Sequence, residues 1–243
     1  MNESLAVITF VLLGGAILVA TAAGRSFLFG VSAFIIVASN ATVAIQVDLW
    51  GFAVSWGVII YSLIYLITDI LSEHYERHAA YRLAAMNLAI QALFWGYLFI
   101  TFPIEAPYNQ DNMDALLVLY ATTPRITFAA FLAALGAFAD IWFYEWLKKY
   151  RYTDHFWGTL WFRNNFSTFV GQSVNTVIFF YVALYDVVPD IWSIIITALI
   201  IKYIIAIFDT PILYFTRYIM KSKIGKRIER EIPDVIERLG EQK

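Results

Sequence analysis

Cysteine is absent from the 243-residue chain. Disulfide frameworks, thiolate zinc sites, iron–sulfur clusters and thiol catalysis are excluded together. Charge is scarce too, with 15% Asp, Glu, Lys and Arg against about 25% in a soluble domain. The 17 Lys and Arg do not outnumber the 19 Asp and Glu, so there is no basic excess to hold nucleic acid. Six Pro and 12 Gly exclude a collagen-like or low-complexity chain. Only three His occur, all in polar connections, and in H-Y-E-R-H (His74, His78) the carboxylate of Glu76 comes one position too late for a metalloprotease helix. No Walker phosphate loop and no G-x-S-x-G elbow is present. Neither catalysis nor a resident metal or cofactor is expected.

Apolar residues dominate instead, at 60% hydrophobic and 18% aromatic, with a mean hydropathy of +0.67. That leaves too little polar surface to cover a water-soluble fold. A membrane-crossing helix needs about 20 mostly apolar residues, and runs at 5–23, 27–45, 53–71, 83–102, 126–147, 165–184 and 191–215 qualify. The fold class expected is all-α, a polytopic bundle of seven transmembrane helices, because helices satisfy their own backbone in lipid. The first run lacks a positive leader and follows Glu3, so it reads as a retained helix and not a signal peptide.

With the N-terminus outside, 14 of the 17 Lys and Arg fall on the inner side, and the outer connections are acidic. The positive-inside rule therefore predicts N-out, C-in. Trp142, Trp146, Trp157 and Trp161 fall where the inner aromatic belt belongs. Residues 1–220 read as one helical transmembrane domain. Residues 221–243 read as a cytosolic amphipathic tail, with Ile224, Ile228, Ile232, Val235 and Leu239 at helical spacing and a break at Pro233. The long outer connection, 103–124, carries an apolar stretch at 115–120 that suggests a short interfacial helix.

Ionisable and amide side chains inside spans are costly, and each calls for a partner, a watery cavity or a function. The second span carries Ser39 and Asn40, the third Thr68, Asp69 and then Glu73, and the fifth Asp140. The sixth carries Ser167, Thr168, Gln172 and Asn175 behind Arg163 and Asn164, and the seventh Lys202 and Asp209. Lys202 lies 11 residues into its span, about 17 Å deep at about 1.5 Å per residue. Asp140 is at comparable depth, so a Lys202–Asp140 pair across helices is expected, with Asp209 nearer the inner rim. Asp69 and Glu73 border the inner water, and Arg125 stands at an outer helix mouth. Tyr61 and Tyr65, four apart on the approach to Asp69, are placed to pack in the core or to stack on a flat ligand. Ala129, Ala133 and Ala137 mark a close helix contact. A midplane set of carboxylate, ammonium and carboxamides is what a carrier needs to hold a polar substrate and couple it to an ion.

Four motifs in order sharpen this expectation: Y-L-I-T-D-I-L-S-E-H-Y (65–75), Arg125 followed by A-A, L-G-A-F-A-D (125–140), R-N-N-F-S-T-F-V-G-Q-S-V-N-T (163–176) and K-Y-I-I-A-I-F-D-T-P-I-L-Y (202–214). Over about residues 35–217 the chain resembles the vitamin-uptake-like transporters that import queuosine precursors, 7-deazaguanines such as 7-cyano-7-deazaguanine. The resemblance implies a multi-pass carrier of the prokaryotic inner membrane, feeding tRNA modification. It implies a six-helix core, to which the first span is an addition. The substrate-binding residues expected are Asn40, Tyr61, Tyr65, Asp69, Asp140, Gln172, Asn175 and Lys202, with Asp140 at the N–H edge of the base. Ion coupling or gating is expected from Asp140, Lys202, Glu73, Arg125, Arg163 and Asp209, with protons or sodium as the ion. Departures from the family pattern are Asn175 for its Asp, Ala137 for its Gln and Ser62 for its Pro. The partners expected are the small-molecule substrate and membrane lipids, with a homodimer left open. An alternative of similar size is the substrate-binding subunit of an energy-coupling-factor importer, which needs a separate ATPase and could dock it through the alanine stripe.

Overall fold

The computed structural model describes residues 2–43, 45–75, 77–101, 123–149, 156–185 and 190–222. The outer connection 103–122, His155 and the tail from 223 lie outside them. Helices run α1 Asn2–Ala23, α2 Arg25–Thr42, α3 Trp56–His74, α4 Arg77–Thr101, α5 Thr123–Ala133, α6 Leu135–Lys149, α7 Phe156–Leu184 and α8 Ile191–Lys221. Seven stretches are long and apolar enough to cross a membrane, α5 and α6 sharing one of them. Large apolar side chains such as Val7, Val11, Phe34, Leu93, Ile100 and Phe208 stand exposed along the outer faces of these helices. A soluble fold would not leave so many bare, and lipid is the solvent that suits them. The chain is a multi-pass membrane protein.

Helix α3 is the centre of the bundle. Its residues are buried on nearly every side, and it packs against α1, α2, α4, α6, α7 and α8. The remaining helices show lipid a wide apolar face and turn a stripe inward. On α8 that stripe is Lys202, Ala206, Asp209, Leu213 and Thr216, at the alternating spacing of three and four that keeps one face of a helix. Asp190 opens α8 as its cap, Oδ1 accepting from the Ser193 N–H at 3.1 Å. Gly24, at φ 110, is the whole connection between α1 and α2, one residue where three were expected.

Two interruptions of helical structure were not foreseen. The third span begins at Trp56 and not at residue 53, because Phe52–Ser55 pairs antiparallel with Gln46–Leu49 as a β-hairpin, Leu49 opposite Phe52. Its two turn residues, Trp50 (φ 52) and Gly51 (φ 82), both have positive φ, as a tight hairpin turn requires. Asp48 Oδ1 secures the turn by accepting from the Gly51 N–H at 3.0 Å. The second interruption is at Ala134, where the fifth span divides into α5 and α6. The carbonyl of Ala133 released there is taken by Asn175 Nδ2 at 2.9 Å.

Close backbone approach holds the helices around this break. A Cβ added to Gly136 would sit 2.5 Å from the Gly171 carbonyl, and one on Gly171 would sit 2.5 Å from Asp140 Cβ. Glycine is therefore what lets α6 meet α7. Ala129, Ala133 and Ala137 are buried within the chain, so the alanine stripe is an internal helix contact.

Candidate functional site

The inward polar residues form three tiers along the bundle. In the first, a cavity of about 60 Å³ is lined by Asn40 of α2, Tyr61 of α3, Gln91 of α4, Ala133 of α5, Asn175 of α7 and Lys202 of α8. Lys202 is 3% exposed. Its ammonium donates to Asn175 Oδ1 at 2.8 Å and Thr176 Oγ1 at 2.9 Å, and lies 5.8 Å from the centre of the Tyr61 ring. A buried ammonium is tolerable only with such neutral acceptors and a ring face around it. Lys202 and Asp140 do not form the expected pair: the lysine turns to α7, and Asp140 bonds to α3 one tier deeper. The β-hairpin closes over the same end of the bundle, where Leu49 and Val54 are buried with Ala6, Ile59 and Ile201.

The second tier is a dry set of three carboxyl groups. Asp140, Asp69 and Asp209 are 0%, 1% and 2% exposed. Asp140 Oδ2 meets Thr68 Oγ1 at 3.1 Å, Asp69 Oδ2 accepts from Thr168 Oγ1 at 3.2 Å, and Asp209 Oδ1 accepts from Asn164 Nδ2 at 3.4 Å. The other oxygens of Asp69 and Asp140, with Gln172 Oε1, find no donor among the described residues. Thr68 has a single hydroxyl hydrogen for two acceptors, its other being the Tyr65 carbonyl at 2.7 Å. The expectations that Asp69 borders the inner water and that Asp209 sits at the inner rim are corrected here. Both are sealed by the inward stripes of α3 and α8 and by α7 between them. Tyr65 is wholly buried between the first two tiers, edge-on to Tyr61 at 6.3 Å, with its hydroxyl toward the Gly171 carbonyl at 3.4 Å.

The third tier is an ion-pair knot. Glu73 Oε2 accepts from Arg163 Nη2 at 2.8 Å and from Tyr144 Oη at 2.8 Å, and Oε1 accepts from Arg217. The Arg163 guanidinium also lies 5.5 Å from the centre of the Tyr144 ring. Four helices, α3, α6, α7 and α8, are tied by this one carboxylate. Glu73 is not solvated as expected, because its side chain is only 11% exposed. Beside the knot His74 Nε2 meets Thr216 Oγ1 at 2.7 Å, and Lys148 Nζ donates to the Ser72 carbonyl at 2.5 Å. His74 thus ends α3, and His78 opens α4; neither is in a loop.

Of the residues expected to bind substrate, the cavity brings together Asn40, Tyr61, Asn175 and Lys202. Tyr65, Asp69, Asp140 and Gln172 do not line it. Arg125 is apart from all three tiers, with Nε donating to the Val182 carbonyl at 2.6 Å near the end of α7. Gln91 was missed. Asn87, Gln91 and Trp95 recur every four residues in α4 and are buried together, a polar-containing stripe that the sequence displays in plain form.

Comparison with known proteins bears on the same residues. A family described as "Putative vitamin uptake transporter" matches residues 55–216, from the start of α3 to the end of the α8 stripe. A Bacillus subtilis (strain 168) protein named "Probable queuosine precursor transporter" is 28% identical over 200 residues, covering 79% of this chain and 83% of its own. No solved structure matches the chain. The matched segment contains the carboxyl tier, Lys202 and, of the Glu73 knot, Glu73, Tyr144 and Arg163, with Arg217 one residue beyond it, and the chain belongs to this family of membrane transporters of the vitamin-uptake type.

Proposed function

We propose that this chain is a carrier that imports a queuosine precursor, a 7-deazaguanine such as 7-cyano-7-deazaguanine, across a prokaryotic inner membrane by alternating access. The observation that carries the reading is the similarity to the Bacillus subtilis relative over about four fifths of both chains. The tiers support it. By the positive-inside rule the cavity faces outward, and the Glu73 knot closes the cytosolic end. A flat base would lie against Tyr61, within reach of Lys202 and the amides of Asn40 and Asn175. The carboxyls of Asp69, Asp140 and Asp209, with Gln172 nearby, would take the coupling ion, a proton or sodium. A proton on Asp140 would let it donate to Thr68, whose own hydrogen goes to Tyr65. Arg163 and Arg217 would release Glu73 when the inner end opens. Arg125, bound to the far end of α7, would steady the outer mouth. No step of this cycle makes or breaks a covalent bond.

The test is uptake of labelled 7-cyano-7-deazaguanine by a bacterium unable to synthesise it, with this chain as its one importer. Uptake with the chain alone, lost in Lys202→Met, is the expected result. Absence of uptake from a chain that reaches the membrane would overturn the assigned substrate. Uptake that appears only with an added ATPase would instead establish the importer-subunit alternative.

A further inference from the structure

Helix α4 brings one polar side chain to the cavity, and its chemistry is complementary to that of Lys202. One turn before it, Asn87 Oδ1 accepts from Ser32 Oγ at 3.0 Å, tying α4 to α2. Gln91 is 3% exposed and lines the cavity, and its Oε1 has no donor among the described residues. Buried amide oxygens are satisfied in native proteins, and one held at a cavity wall without a donor awaits a ligand or water. Across the cavity Lys202 has three N–H groups, of which Asn175 and Thr176 use two. Tyr61, Phe179 and Phe180 supply the aromatic walls. The site thus offers an acceptor and a spare donor between flat apolar surfaces.

We infer that Gln91 determines specificity: its Oε1 accepts from a ring N–H or exocyclic amine of a flat, uncharged heterocycle, whose adjacent carbonyl takes the third N–H of Lys202. The substrate class is a lactam base, with N–H beside C=O. The inference takes the name of the substrate from the proposed import of a deazaguanine, but not the pattern on its edge.

The experiment is direct binding to the full chain purified in detergent, with 7-cyano-7-deazaguanine and guanine as probes and wild type, Gln91→Leu and Gln91→Met as proteins. The wild type is expected to bind both lactam bases. Gln91→Leu should weaken lactam binding roughly tenfold or more with no fall in thermal stability, since it removes a buried oxygen that no protein group satisfies. Gln91→Met, which keeps the length of the side chain and likewise offers no amide oxygen, should show the same loss. Unchanged affinity in Gln91→Leu overturns the inference, as does a wild type that binds no lactam base. Should the Leu form not be purifiable, the Met form decides alone, and unchanged affinity in it overturns the inference. Binding of guanine but not the deazaguanine, with dependence on Gln91, leaves the inference standing and removes the deazaguanine reading. Deazaguanine binding indifferent to Gln91 does the reverse.

Discussion

At the residue scale, position decides what each ionisable group can do. Lys202 and Asp140 are of opposite charge and one tier apart, and each is held by neutral groups on different neighbours: Lys202 by Asn175 and Thr176, Asp140 by Thr68. Separate placement allows separate roles, and the two substitutions should separate them. Lys202→Met is expected to abolish substrate binding as well as uptake. Asp140→Asn keeps a group that can bond Thr68 but cannot gain or lose a proton. It should retain substrate exchange across the membrane while losing accumulation driven by an ion gradient. Counterflow and gradient-driven uptake in proteoliposomes, measured side by side, distinguish the two. Loss of exchange in Asp140→Asn would place that carboxyl on the substrate.

At the scale of elements, the seam between α6 and α7 is the most constrained contact. Gly136 and Gly171 face one another across it, and neither has room for a methyl group. Gly171→Ala is expected to destabilise the protein by about 1–3 kcal/mol, the usual penalty for overpacking a filled interior, visible as a lower melting temperature in detergent. The helix break at Ala134 sits beside this seam, with Asn175 holding the released Ala133 carbonyl. Asn175→Leu should therefore affect two elements at once, freeing both the break and Lys202. A larger loss of thermal stability than in Lys202→Met is expected, and equal losses would show that the Ala133 bond contributes nothing.

At the scale of the molecule, three tiers stack along one axis: a cavity, a dry carboxyl layer and an ion-pair knot joining four helices. Removal of Glu73 leaves Arg163 and Arg217 without the carboxylate they share, so Glu73→Gln should shift the protein toward an inward-open form. The absence of native cysteine makes this measurable without a substituted background. Ser167→Cys, buried beside the carboxyl layer, is expected to resist a membrane-impermeant thiol reagent added from the cytosolic side. It should become reactive when Glu73→Gln is added. No change in reactivity would mean that the knot is structural and does not gate.

The seven spans were legible in the sequence because lipid imposes a length and a composition that no packing detail can override. The family was legible because its motifs are local strings. The buried polar positions could be picked out singly, since each is an anomaly within an apolar run. Which of them meet was decided by tertiary structure, because depth along a helix is set by residue number whereas azimuth about the bundle depends on how helices pack. Hence Lys202 and Asp140, expected at comparable depth, fall in adjacent tiers and face different neighbours, and Gln91 reaches the cavity from a helix whose charges, Arg77 and Arg82, lie only at its first turns. The hairpin at 46–55 and the break at Ala134 were hidden for a related reason. Residues 52–54 read as a continuation of the third span and residues 130–137 are apolar throughout, and only the turn at Trp50 and Gly51, and the amide that Asn175 offers from α7, make leaving the helix favourable.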